Sequence, residues 1–223
     1  MNFIEAAKTI RGAFGEYFGK RLTKSGQTIA DPSAFETFLE TRASHVGQTS
    51  LYGYVRTRAG SRFPELFEND DFMVAINIAK WQMWIACLSD LSVYGGGRLL
   101  HGSDASASAV DVYVRSGVDR IFERTGVPEE AGDRFDESRE KLRQRLADID
   151  WEDVEDGEYA FSESPEALIY WAPIVDDLKE LDSEIVRNSV RFRWQEVRRD
   201  LRNNINAQAV IESAANAQSL AAD

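Results

Sequence analysis

The chain has 223 residues, 43% of them hydrophobic, and a formal net charge of −12. That composition supports a sizeable core, and five prolines and fifteen glycines are too few for a low-complexity chain. The lone cysteine, Cys87, excludes an intrachain disulfide framework and fits a reducing compartment, while the acidic balance disfavours nucleic acid as a partner.

Residues 2–22 carry Phe3, Ile10, Phe14, Tyr17, Phe18 and Leu22 at helical spacing, weakened by Gly12, Gly15 and Gly19. Glu5 and the lack of a long apolar run argue against a signal peptide, so a cytoplasmic location is expected. Asp31-Pro32 is a helix start, with Asp at the N-cap and Pro at the first helical position. Phe35, Phe38, Leu39, Val46 and Tyr52 carry that helix to about Val55, and Gly60 ends it. Phe63 to Phe67 reads as one short turn.

Residues 72–94, FMVAINIAKWQMWIACLSDLSVY, are apolar in every direction on a helical wheel. Such a helix is surrounded by protein or by lipid. Lys80 and Asp90 interrupt it, and its longest unbroken apolar run is Met83 to Leu88, so a buried core helix is expected rather than a membrane span. Asp70 or Asp71 is the expected N-cap, and Gly95-Gly96-Gly97 the expected stop. Lys80 must pair, snorkel or lose its proton. Glu36 or Glu40 of the preceding helix is the expected partner.

Ser103 or Asp104 opens the next helix, with Val110, Tyr113, Val114, Ile121 and Phe122 on one side and Gly126 at its end. A surface helix with a narrow Phe135, Leu142, Leu146 stripe follows over about 129–147. Residues 126–184 hold 20 acidic against six basic residues, and seven of those acids fall between Asp148 and Glu158. Trp151, Tyr159 and Phe161 lie in the same segment, so 148–163 reads as an acidic loop or arm held by its aromatics. Ser164-Pro165 restarts a helix, with a kink at Pro173. A last helix spans about 183–205 with Ile185, Val186, Val190, Val197 and Leu201 inward, and the tail from 208 is expected to fray.

Motifs for chemistry are sparse. His45 and His101 are far apart, no Glu-x-x-His pair occurs and Cys87 has no cysteine partner, so neither a bound metal nor a cofactor is expected. Ser44, Ser50 and His45 lack a nucleophile elbow. The glycine triplet follows a helix instead of preceding one, which is the wrong polarity for a phosphate loop. Arg187, Arg191, Arg198 and Arg202, with Trp194 beside them, lie along one face of the last helix; this is a candidate interaction face, but the acidic segment is close by, and at least two of the four are expected to pair with carboxylates of the same chain or a symmetric mate.

The sequence therefore predicts an all-α fold, a single multi-helix bundle over residues 1–207 packed around the central hydrophobic helix at about 72–94. The leading functional reading is a non-catalytic cytoplasmic interaction or adaptor protein, with a protein partner or a second copy and no membrane. The alternative is a small-ligand-binding protein or enzyme, with an aromatic pocket lined by Trp81, Trp84 and Tyr94 and a polar contact from Lys80 or Arg56.

Overall fold

A computed structural model describes residues 27–222, with side chains through residue 216. The expected helix at 2–22 lies outside the described residues. The fold is all-α. Its helices are α1 (Pro32–Ala59), α2 (Asp70–His101), α3 (Ala107–Thr125), α4 (Phe135–Ala147), α5 (Glu163–Trp171), α6 (Asp176–Asn204) and α7 (Ala207–Ala222), with short 3₁₀ turns in the connections. Among the described residues there is no strand, only an isolated parallel bridge that ties Ile29 to Ile205.

Local chemistry sets the helix ends. Asp31 accepts a hydrogen bond from the Ala34 N–H at 2.9 Å, and Pro32 follows it at the first helical position. Gly60 and Gly126 take positive φ angles of 56° and 67° just beyond α1 and α3. The N-cap of α2 is Asn69, not Asp70 or Asp71; it accepts from the Phe72 N–H at 2.8 Å and leaves both aspartates in the first turn, where negative charge suits the helix dipole. Ser106, not Ser103 or Asp104, caps α3.

Helix α2 is the hub, in contact with α1, α3, α4, α5 and α7. From Ala79 to Gly97 every residue but Ala86 is buried. It is long and apolar enough to span a bilayer, and here other helices cover it. Trp81, Trp84, Phe122 and Phe135 meet edge to face with centroids 5.6–6.2 Å apart, the arrangement that ring quadrupoles favour.

The glycine triplet does not stop α2, which continues four residues beyond it to His101. Glycine inside a helix costs about 1 kcal/mol relative to alanine. Here the missing side chains admit neighbours. A Cβ on Gly96 would sit 2.1 Å from the Trp151 ring, and one on Gly97 would sit 2.5 Å from Val154. Trp151 and Val154 belong to the acidic 148–163 segment, which is thereby anchored against the core. Phe161 is buried as well, whereas Tyr159 is 80% exposed and holds nothing.

Further boundaries differ from expectation: the helix expected over about 129–147 begins at Phe135, after a separate turn at Glu129–Ala131, and the last helix begins at Asp176 rather than at about 183. The α5 helix ends at Trp171 and α6 begins at Asp176, so Pro173 breaks the chain direction instead of kinking one long helix. Residues 207–222 form helix α7, with Val210 buried.

Candidate functional site

Of the five residues expected to line an aromatic pocket, Lys80, Trp81 and Trp84 are neighbours, with Lys80 Nζ 5.5 Å from the Trp81 ring centroid, and Arg56 and Tyr94 do not join them. Arg56 is exposed near the end of α1. Lys80 is buried; its Nζ lies 3.2 Å from Glu130 Oε1 and 3.3 Å from Asn77 Oδ1. Burial lowers the Lys80 pKa and Glu130 works against that. The ion-pair partner is thus Glu130, not Glu36 or Glu40, which are held by Arg120 and Arg124 of α3. Trp81 and Trp84 are packed into the aromatic cluster. Tyr94 lies fourteen residues along α2 from Lys80, about 21 Å at 1.5 Å per residue.

Tyr94 instead joins the arginine row of α6. Its hydroxyl donates to Asp156 Oδ1 at 2.8 Å, and the same carboxylate takes Arg198 at 3.3 Å and Arg202 at 3.0 Å. Burial acts to raise the Asp156 carboxyl, but the hydrogen bonds from Tyr94, Arg202 and Arg198 together hold it below its ordinary value. Arg187 forms a two-point contact with Glu166. Arg191 acts on Glu166 only through its charge. Trp194 is buried, stacked on Phe161 with centroids 4.7 Å apart, and its indole N–H donates to Ser164 Oγ. This side of α6 therefore faces the rest of the chain.

A buried polar network lies beneath. Asp90 is fully buried on α2 and accepts four hydrogen bonds at 3.0 Å or less: the Glu163 and Ser164 N–H groups, the Ser164 hydroxyl and Arg145. The carboxylate thus caps the N-terminus of α5 from a different helix, satisfying N–H groups that a helix start leaves unpaired. Burial pushes the Asp90 carboxyl up, against the pull of Arg145 and Ser164. Arg145 also donates to Ser89, Ala160 and Ser162, so it stitches α2, α4 and the start of α5 together.

Above this network an open cleft of about 730 Å³ separates α2, α4 and α5. It lies beside the central helix, but its aromatic wall is Tyr170 and Trp171 of α5, and none of the residues expected to line a pocket borders it. Arg134 reaches across it to the Tyr170 hydroxyl at 3.1 Å and lies 5.9 Å from the Trp171 ring centroid. Gln82, on the cleft floor, accepts from Ser138 at 2.6 Å, and its Nε2 has no acceptor among the described residues. Among those residues no group of three or more His, Cys, Asp or Glu side chains converges as a metal cage requires.

The opposite side of α6 is different. Leu181, Ile185 and Phe192 are 74%, 73% and 71% exposed. With exposed Asn188 they are spaced 4, 3 and 4 residues apart and form one line down the helix. Sequence periodicity assigned Ile185 to the core; the inward line is Val186, Val190, Trp194, Val197 and Leu201. Beside Phe192, a groove of about 510 Å³ runs between α6 and α1, walled by Val46 and Thr49 among others.

Comparison with protein-family models, curated proteins and solved structures gave no match.

Proposed function

We propose that this chain is a cytoplasmic, non-catalytic interaction protein that docks an apolar helical stripe on the outer face of α6. One observation carries this reading: Leu181, Ile185 and Phe192 stand exposed in a single line on the outer face of α6. Exposed aliphatic and aromatic side chains in contiguous array mark interaction sites, whereas scattered ones need no explanation. The 4, 3, 4 spacing is that of helix-in-groove and helix-on-helix recognition. The test is a photo-reactive amino acid at position 192 and, as control, at exposed Val112. Cross-linking to protein at 192 that Ile185→Asp abolishes supports docking on α6. Equal labelling from both positions counts against it.

The cleft favours a second reading, a small ligand carrying a hydrogen-bond acceptor. The buried Gln82 amide donor at its floor is the observation behind it, because such a donor left unpaired costs about 1–3 kcal/mol. Ligand-induced stabilisation that Gln82→Leu removes would support this reading.

A further inference from the structure

We propose that the occupant of the outer face of α6 is α6 of a second copy of this chain, lying antiparallel to the first. This rests on the docking reading above and names its partner. The line Leu181, Ile185, Asn188, Phe192, Gln195, Arg199 alternates spacings of 4 and 3, so it forms a seam on a helix surface that another helix can share. All six are exposed.

Charge fixes the partner and its direction. Glu184 and Arg191 lie on the same edge of the seam; among the described residues neither forms a direct salt bridge, and each feels an opposite charge of its own chain only at longer range, Glu184 from Arg187 and Arg191 from Glu166. An antiparallel two-fold brings like edges together. Setting Leu181 against Phe192 of the second copy then puts Glu184 beside Arg191 of that copy, twice. The same register carries Arg199 to the start of the facing helix, where exposed Asp176 and Asp177 lie. A parallel pair loses both matches and stacks Arg199 on Arg199 within the seam. The groove between α1 and α6 opens next to Phe192, where this register delivers Leu181 of the second copy.

The contact is small. Three large apolar side chains from each copy bury on the order of 800 Å² in total, under the roughly 1,200 Å² at which standard stable interfaces begin. The dimer is therefore weak and reversible, with a Kd on the order of 10–100 µM.

Sedimentation equilibrium on the full chain tests this. A concentration-dependent monomer–dimer equilibrium is expected, weakened about tenfold or more by Phe192→Asp with the circular dichroism spectrum unchanged. Glu184→Arg alone should weaken it, and Glu184→Arg with Arg191→Glu should restore it, which general stickiness would not do. Mixed Leu181→Cys and Phe192→Cys proteins should form a disulfide-linked heterodimer under mild oxidation, with buried Cys87 out of reach. Either cysteine variant oxidised alone should not.

A wild-type chain that stays monomeric to about 500 µM overturns the proposal, as does a dimer indifferent to these substitutions. Predominant Leu181-to-Leu181 cross-links overturn the antiparallel arrangement. A cross-link from position 192 to residues 1–26 of the same molecule assigns the face to that segment instead. If the chain is monomeric but position 192 still captures another protein in a manner abolished by Ile185→Asp, self-association fails while docking on α6 stands. If neither occurs, both fall.

Discussion

The indole of Trp151 fills the space that any side chain on Gly96 would need: a Cβ there would lie 2.1 Å from Cζ3 and 2.7 Å from Cη2 of the ring. Both belong to rigid surroundings, Gly96 in the middle of α2 and Trp151 in a 3₁₀ turn whose indole N–H donates to Asp111 at 3.2 Å. Gly96→Ala is therefore expected to expel the ring and to destabilise the fold by about as much as losing a buried tryptophan, roughly 3–5 kcal/mol. Chemical denaturation of Gly96→Ala, Trp151→Ala and the double variant checks this. The double variant should cost clearly less than the two single losses together, because both remove the same contact.

Leu88 lies fully buried at the centre of α2. Leu88→Ala is expected to cost about 2–5 kcal/mol. A loss below about 0.5 kcal/mol in urea melts would mean that α2 is not the core element.

Asp90 is expected to be more sensitive than its single charge suggests. Asp90→Ala strips the cap from α5 and leaves Arg145 without its carboxylate, and removing one partner of a buried pair costs about 3–5 kcal/mol. Because burial raises its pKa in the folded state, this carboxyl favours folding more when protonated. Its contribution is fully present below the ordinary aspartate range and declines as pH rises through the folded value. The stability gap between wild type and Asp90→Asn should accordingly be wider at acidic pH than at neutral pH. Stability curves of wild type and variant between pH 4 and pH 8 measure this.

Asp156 has the opposite sign. Its folded pKa is lowered, so its contribution is present above the ordinary aspartate value near 4 and is lost as pH falls through the folded value. The carboxylate is partly exposed, so solvent screening limits the effect, and Asp156→Asn is expected to cost about 1 kcal/mol at pH 7. The gap between wild type and variant should narrow as pH falls below the ordinary aspartate range, and narrow in high salt.

The α2 core was legible in the sequence because a wheel with apolar residues in every direction requires enclosure, with Lys80 and Asp90 pointing to protein rather than lipid, and Asp31-Pro32, Gly60 and Gly126 announced helix ends through chemistry local to a few residues. The paired fate of the arginine row was legible in part: the acidic surplus upstream indicated carboxylate partners, and Arg187, Arg198 and Arg202 found them in Glu166 and Asp156. Other features depended on residues distant in sequence. Gly95-Gly96-Gly97 reads locally as a helix stop, and only the approach of Phe35, Trp151 and Val154 turns the triplet into a packing surface. Asp90 gave no sign of capping α5, since its partner N–H groups lie 73 and 74 residues away. Ile185 and Val186 are equally apolar neighbours, so which of them faces inward is set by how α6 seats against Phe161, Ser164 and α1. Periodicity finds a stripe; the tertiary contacts decide which stripe is buried and which is left for a partner.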